Sequence, residues 1–231
     1  MALVLSLVIS KALGGSASAT SVETDQESNK WNYELSVYTY VPRDSHDYAN
    51  PSFSADYNEW LHLEARYNYE ALKTGSAWLG YNFSVPVEKV IKGSELTITP
   101  MVGGVFGNLT GIAPGYMIDA SVEVARGTIE LWTQGEYFFD SGTRTEDFFY
   151  SWSELSYAKP LLCLQAKPEV RVGMVVERTK SFGSEFDVRR GPLIGIRRKI
   201  GKGDHTIGFT TYWLSPGSSE STFVFAVNFE L

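Results

Sequence analysis

The chain has little with which to build most kinds of chemical site. It holds one cysteine, Cys163, so neither an intramolecular disulfide nor a multi-cysteine metal centre can form. A lone thiol of this kind reads as a small apolar residue near a strand start. Histidines number three. Gly103-Gly104 and Gly107 lack the lysine that would complete a phosphate loop, and read instead as kinks or crowded positions in strands. Lys and Arg total 20 against 27 Asp and Glu, and the basic residues are scattered, which argues against nucleic acid as a partner. Long apolar runs are missing too. The most apolar stretch, Ala2 to Ile9, is too short to cross a bilayer as a helix, and mean hydropathy is −0.14. A bundle of membrane helices is excluded. A chain whose apolar and polar residues alternate is not.

The N-terminal stretch has a different use. The apolar run is followed by Gly14-Gly15-Ser16-Ala17-Ser18-Ala19, and Ala17-x-Ala19 suits signal peptidase. Residues 1–19 therefore read as a signal peptide, cleaved after Ala19. Residues 20–30 (TSVETDQESNK) contain nothing to bury and read as a flexible mature N-terminus.

Aromatic residues are plentiful at 14%, and from Trp31 onward they fall in runs with a period of two. Leu61, Leu63, Ala65, Tyr67 and Tyr69 share one face, opposite Trp60, His62, Glu64, Arg66 and Asn68. Ala77, Leu79, Tyr81, Phe83 and Val85 oppose Trp78, Gly80 and Asn82. Tyr116, Ile118, Ala120 and Val122 oppose Asp119 and Glu123; Ile129 and Leu131 oppose Glu130 and Trp132. Val170, Val172, Met174 and Val176 oppose Glu169, Arg171 and Glu177. With Trp31–Val41, Glu95–Phe106, Asp147–Tyr157, Arg189–Ile200, His205–Leu214 and the final run, about eleven strands are readable by runs and breakers. Residues 31–231 are thus expected to form one all-β domain, an antiparallel transmembrane β-barrel of about 10–12 strands. A closed single-chain bacterial barrel needs an even number. From Asn108 to the end tight and longer links alternate, the short-turn, long-loop asymmetry of such barrels, and on that frame the polar loop Pro42–Asp56 is a long link on the short-turn side. Either Trp31–Val41 is not a barrel strand, giving ten, or a further strand is present, giving twelve.

A soluble β-sandwich or ligand-binding barrel also alternates. Two features weigh against it. The apolar face carries aromatics near strand ends (Tyr69, Tyr81, Phe83, Tyr137, Phe139, Phe148, Tyr150, Trp213), as membrane interfaces favour. The opposite face is charged in mid-strand yet includes Trp60, Trp78 and Trp132, a mixture suited to a lumen.

The last ten residues, TFVFAVNFEL, place Phe223, Phe225, Val227, Phe229 and Leu231 at alternate positions counting back from the end. This pattern resembles the C-terminal assembly signal of bacterial outer-membrane proteins, although Leu231 stands where that family usually has an aromatic. The resemblance implies a porin-like barrel in the bacterial outer membrane. It also implies contact with outer-membrane lipids and with the barrel-assembly machinery through this strand. The five alternating residues would face lipid. The lumen would be lined by Trp60, His62, Glu64, Arg66, Asn68, Trp78, Asn82, Asp119, Glu123, Glu130, Trp132, Glu169, Arg171 and Arg197.

Chemistry is weakly signalled. His62 with Glu64 two residues on is a weak catalytic candidate, the basis for a lipid- or envelope-cleaving barrel enzyme. No nucleophile motif accompanies it, and inward charges of both signs more simply make a hydrogen-bonded lining. His46 among Asp44 and Asp47 matches no metal-ligand spacing, His205 reads as a turn cap, and Ser151 and Ser153 lie in no nucleophile elbow. No cofactor and no metal are expected. The reading reached is a narrow porin-like channel for small solutes or a structural barrel, narrowed by inward tryptophans and mildly cation-preferring. A barrel enzyme or a soluble periplasmic ligand-binding barrel are the alternatives.

Overall fold

The computed structural model describes residues 31–142, 147–161, 167–181, 183–201 and 205–231. The expected signal peptide, the segment 20–30 and Cys163 lie outside these residues. The strands are β1 (Trp31–Pro42), β2 (Tyr48–Tyr57), β3 (Leu61–Tyr67), β4 (Thr74–Tyr81), β5 (Phe83–Ser84), β6 (Ser94–Gly107), β7 (Gly111–Val124), β8 (Gly127–Asp140), β9 (Phe148–Pro160), β10 (Glu169–Ser181), β11 (Asp187–Lys199), β12 (Thr206–Leu214) and β13 (Thr222–Glu230).

Every pairing is antiparallel and joins chain neighbours, save one. The last strand, β13, pairs with β1 in the register Leu35–Phe229 to Val41–Phe223 and closes the sheet into a barrel. The two-residue β5 continues β4 past Asn82, and both pair with β6. The barrel therefore has twelve strands, an up-and-down meander with no free edge.

The twelfth strand overlaps the expected loop Pro42–Asp56. β2 spans Tyr48–Tyr57 and pairs with both β1 and β3. Its outward residues are Ala49, Pro51, Phe53, Ala55 and Tyr57, and its inward ones are Tyr48, Asn50, Ser52, Ser54 and Asp56. Phe53 is the one large apolar residue in mid-strand, and Tyr48 at the start faces inward, so the alternation carries weak hydrophobic contrast. The ladder to β3 ends at Ser52–Arg66, beside Pro51, where a missing N–H disrupts little.

The loops also differ from expectation. Trp31, Leu231 and the turns 58–60 and 125–126 lie at one end of the barrel, here the terminal end. Loops 43–47, 68–73, 108–110 and 215–221 lie at the other. The link 85–93 at the terminal end is longer than any loop opposite, so no long-loop side exists.

Side chains sort by the pleat. Leu79, Val102, Ile112, Leu155, Met174, Ile194, Phe209 and Phe225 point outward and are exposed, while Arg66, Gln134, Glu136, Glu154 and Glu177 point inward and are buried. The apolar interior is correspondingly small. One cluster holds Tyr40, Trp152, Val175, Leu193, Tyr212, Leu214, Val224 and Ala226; another holds Trp78, Met101, Val105, Ala113 and Phe138. Gly103 belongs to the second cluster for a steric reason, since a Cβ there would stand 2.5 Å from the Trp78 ring.

Candidate functional site

Among the described residues two cavities mark the lumen. The larger, about 940 Å³, opens towards the terminal end. Its wall carries ten carboxylates, among them Glu34, Asp56, Glu95, Asp119 and Glu123, against two arginines, Arg171 and Arg197. The smaller, about 420 Å³, lies towards the loops and is lined by Tyr40, Tyr48, Asn50, Tyr150, Glu177 and Arg189. Tyr69 borders both. Between them the barrel is filled by a septum of buried side chains.

One part of the septum is built on Arg66. Its guanidinium lies 2.6 Å from Glu64 and 3.0 Å from Glu136, with side chains almost wholly buried. It also sits over two rings, 4.7 Å from the Tyr69 centroid and 4.4 Å from that of Trp78. Trp78 donates its indole N–H to Ser76, and Ser76 donates its hydroxyl to Glu70 at 2.5 Å. Gln134 donates to the Tyr69 hydroxyl. Tyr69 and Glu70 come from the β3–β4 loop, which dips into the barrel. Burial raises the Glu70 carboxyl above its ordinary pKa, opposed by the Ser76 hydroxyl and by Arg66.

The other part is aromatic. Trp152 and Tyr212 meet edge to face with centroids 5.2 Å apart, Tyr38 packs against both, and Tyr69 meets Tyr150 at 5.8 Å. Glu154 anchors this group by accepting from the Trp152 indole and the Tyr212 hydroxyl, each at 2.8 Å. From Glu154 a chain of ion pairs descends the cavity wall. Arg171 joins Glu154 at 3.3 Å and Glu130 at 3.0 Å, and Arg197 joins Glu130 and, at 2.6 Å, Glu169. Both cavity arginines are thereby committed to three carboxylates, while Glu95, Asp119 and Glu123 remain exposed on the wall.

The residues singled out from sequence fall as follows. His62, Glu64, Asn82, Asp119, Glu123, Glu130, Trp132, Arg171 and Arg197 line the larger cavity. Arg66 and Trp78 are in the septum, Glu169 pairs with Arg197 at the terminal rim, and Asn68 lines the smaller cavity. Trp60 is not in the lumen. It sits in the turn after Asn58 and Glu59, both at positive φ, so the alternation of β3 begins only at Leu61. Its ring is 42% exposed on the outer surface, among Tyr57 and Tyr81. Three aromatics placed on the outer face turn inward instead: Tyr69 and Tyr150 in the septum, and Phe148 stacked on Phe138. Phe223, Phe225, Val227, Phe229 and Leu231 lie on the outer face of the closing strand.

The weak catalytic pair resolves into something else. His62 Nδ1 is 3.0 Å from Asp56 and its Nε2 is 3.7 Å from Glu64. Asp56 also accepts from Asn82 at 2.7 Å, and Asn82 accepts from Thr99 at 2.6 Å. An imidazole set between two carboxylates suits a charge-balancing role, and among the described residues no hydroxyl hydrogen-bonds to it. Among the described residues no group of three or more His, Cys, Asp or Glu is placed to hold a metal ion.

No family model matches the chain, and no curated protein matches it. Solved structures with a similar chain path include the KdgM porin, at 10% identity and TM-score 0.48, covering 85% of this chain and 97% of that one. A loop-deletion mutant of OmpT from Vibrio cholerae aligns at 6% identity and TM-score 0.48 over 87% of this chain and 98% of that one. OccK5 (OpdH) of Pseudomonas aeruginosa aligns at 10% identity and TM-score 0.43 over 89% and 68%. At such identities and scores they add nothing to what the chain's own residues say.

Proposed function

We propose that this chain is a bacterial outer-membrane β-barrel whose lumen is a narrow, cation-preferring path for small solutes, closed in this conformation by the septum. The observation that carries the reading is the inversion of polarity between the two faces of one closed sheet. Large apolar side chains are exposed on strands all round the barrel, from Leu35 and Phe53 through Val102 and Ile112 to Ile194 and Phe225. A water-soluble monomer rarely leaves more than a few hundred Å² of contiguous apolar surface. The belt has edges. On β11 the outward residues run Arg190, Pro192, Ile194, Ile196, Arg198, and a rise of about 3.3 Å per residue with a tilt of about 40° sets the two arginines about 20 Å apart along the barrel axis. That is close to the ~25 Å apolar band of outer-membrane barrels. At the terminal edge Trp31, Tyr33, Tyr57, Trp60, Tyr81 and Phe83 form a run of touching aromatic rings on the outside.

Cation preference follows from the larger cavity, where carboxylates outnumber arginines and the arginines are already paired. The closing strand β13 is the segment we assign to the barrel-assembly machinery. Insertion into planar bilayers under a potassium chloride gradient tests the channel. Small conductance steps with a reversal potential on the cation side are expected. If heat-modifiable, membrane-inserted protein gives no steps, the solute path is wrong. A closed structural barrel is then left, the reading that the filled septum itself favours.

A further inference from the structure

The outer face of the barrel carries an asymmetry that a solute path does not need. By the pleat, the outward side chains of the strands are uncharged except for five, and all five are cations: Lys159 on β9, Arg178 and Lys180 on β10, Arg190 and Arg198 on β11. Their inward neighbours Glu177, Thr179 and Arg189 line the smaller cavity, which fixes the direction of the alternation. Every one of the five is exposed.

Three of them form one patch at the loop end. Arg190 is opposite Val176 and Arg178 opposite Val188, so the two arginines are diagonal neighbours across the β10–β11 pair, roughly 7–8 Å apart. Lys180 follows on the same face of β10, with Nζ 5.0 Å from the centroid of the Phe186 ring. The adjacent carboxylates are turned away. Glu177 faces the lumen and lies 2.6 Å from Arg189, and Asp187 shares the inward face of β11 with Arg189. Just below the patch the belt resumes with Met174, Pro192 and Ile194. Around the rest of the same rim the outward residues are uncharged and include the aromatics Tyr67, Phe106, Phe139, Trp213 and Phe223. Three cations at the edge of an apolar belt, with no outward carboxylate on the strands around them and Glu185 as the nearest acidic residue of the described loop beyond, call for an anion from the surrounding layer.

We propose that Arg178, Lys180 and Arg190 bind the phosphate-bearing headgroup of a lipid in the leaflet on the loop side. The inference rests on the membrane reading above. Guanidinium groups suit phosphate through paired N–H donors, and the exposed Phe186 beside Lys180 offers an apolar surface where acyl chains begin.

The test titrates the refolded barrel in neutral detergent with lipid A carrying two phosphates, with dephosphorylated lipid A and with inorganic phosphate, and reads bound lipid by native mass spectrometry. Each basic side chain beside an anionic headgroup is worth roughly five-fold in affinity, so Arg178→Gln/Lys180→Gln/Arg190→Gln should weaken phosphorylated lipid A on the order of 100-fold. The dephosphorylated lipid should be unaffected, Arg178→Lys/Arg190→Lys should retain most binding, and Lys159→Gln/Arg198→Gln at the other rim should change little. Equal binding by the triple variant overturns the proposal, as does displacement of the lipid by inorganic phosphate at equal concentration. A heat-modifiability gel on the same samples separates the two failures. Protein that never inserts into membranes sinks both readings, whereas an inserted triple variant that keeps its lipid sinks only the patch.

Discussion

Towards Trp31 and Leu231 the lumen is wide, and its carboxylates stand around about 940 Å³ of open space. Halfway up it is filled, and Glu64, Glu136 and Glu154 are tied to Arg66, Arg171, Trp152 or Tyr212. The same residue type does different work in the two places. In the open half a carboxylate keeps its water and contributes a field. In the filled half it has lost that water and is tolerable only with donors around it. Removing a charge from the septum should therefore cost stability, and removing one from the open half should change selectivity.

The largest effect is expected at Arg66. Replacing it by methionine leaves Glu136 buried with no cation and Glu64 with only His62 beside it, a loss of about 3–5 kcal/mol. Urea unfolding in lipid vesicles measures it. Adding Glu64→Gln and Glu136→Gln should return most of the loss, because the whole ionic set is then gone. A single variant that loses under about 1 kcal/mol would mean that water already reaches these carboxylates, and the contrast between the two halves would collapse.

Tyr69 sharpens the comparison at its boundary, being the residue that borders both cavities. Tyr69→Ala removes the ring between Arg66 and Tyr150 and joins the cavities. A several-fold rise in single-channel conductance is expected, with a stability loss smaller than that of Arg66→Met. Unchanged conductance would place the constriction in the Trp152–Tyr212 group instead.

The two halves were also unequally legible. The lining of β3, with His62, Glu64 and Arg66, could be read directly because Leu61, Leu63 and Tyr67 alternate sharply with it. The same contrast marked β10 and β13, and with them the barrel. β2 was hard to read because Phe53 stands alone among Ala49, Pro51 and Ala55 on the outward face while Tyr48 faces inward beside serines, which leaves a period of low amplitude. The septum was hidden for another reason. An aromatic at a strand end or in a loop faces lipid or lumen according to where the chain turns, and Trp60, Tyr69 and Tyr150 all sit at such points. Tyr69 enters the barrel through a loop that begins with Asn68 at φ 61°, a change of course that a period of two does not encode. Long-range pairs such as Arg66 with Glu136 depend on barrel closure itself, so residue spacing could supply the charges but not their partners.

The smallest effect in energy is expected in the open half, and there the readout is selectivity. Asp119 and Glu123 are exposed on the wall of the larger cavity, so Asp119→Asn/Glu123→Gln should shift unfolding by no more than about 0.5 kcal/mol. Ions crossing the cavity nevertheless sense the lost charge. At ~0.1 M salt the screening length is about 10 Å, enough to act across a narrow lumen, while at ~1 M it is about 3 Å. The double variant should therefore move the reversal potential towards zero in dilute potassium chloride, and the difference from wild type should nearly vanish in concentrated salt. A shift that persists at high salt would mean that these carboxylates touch the permeating ion directly. The open half would then be a binding site for cations, and the contrast with the septum would become one between two kinds of coordination.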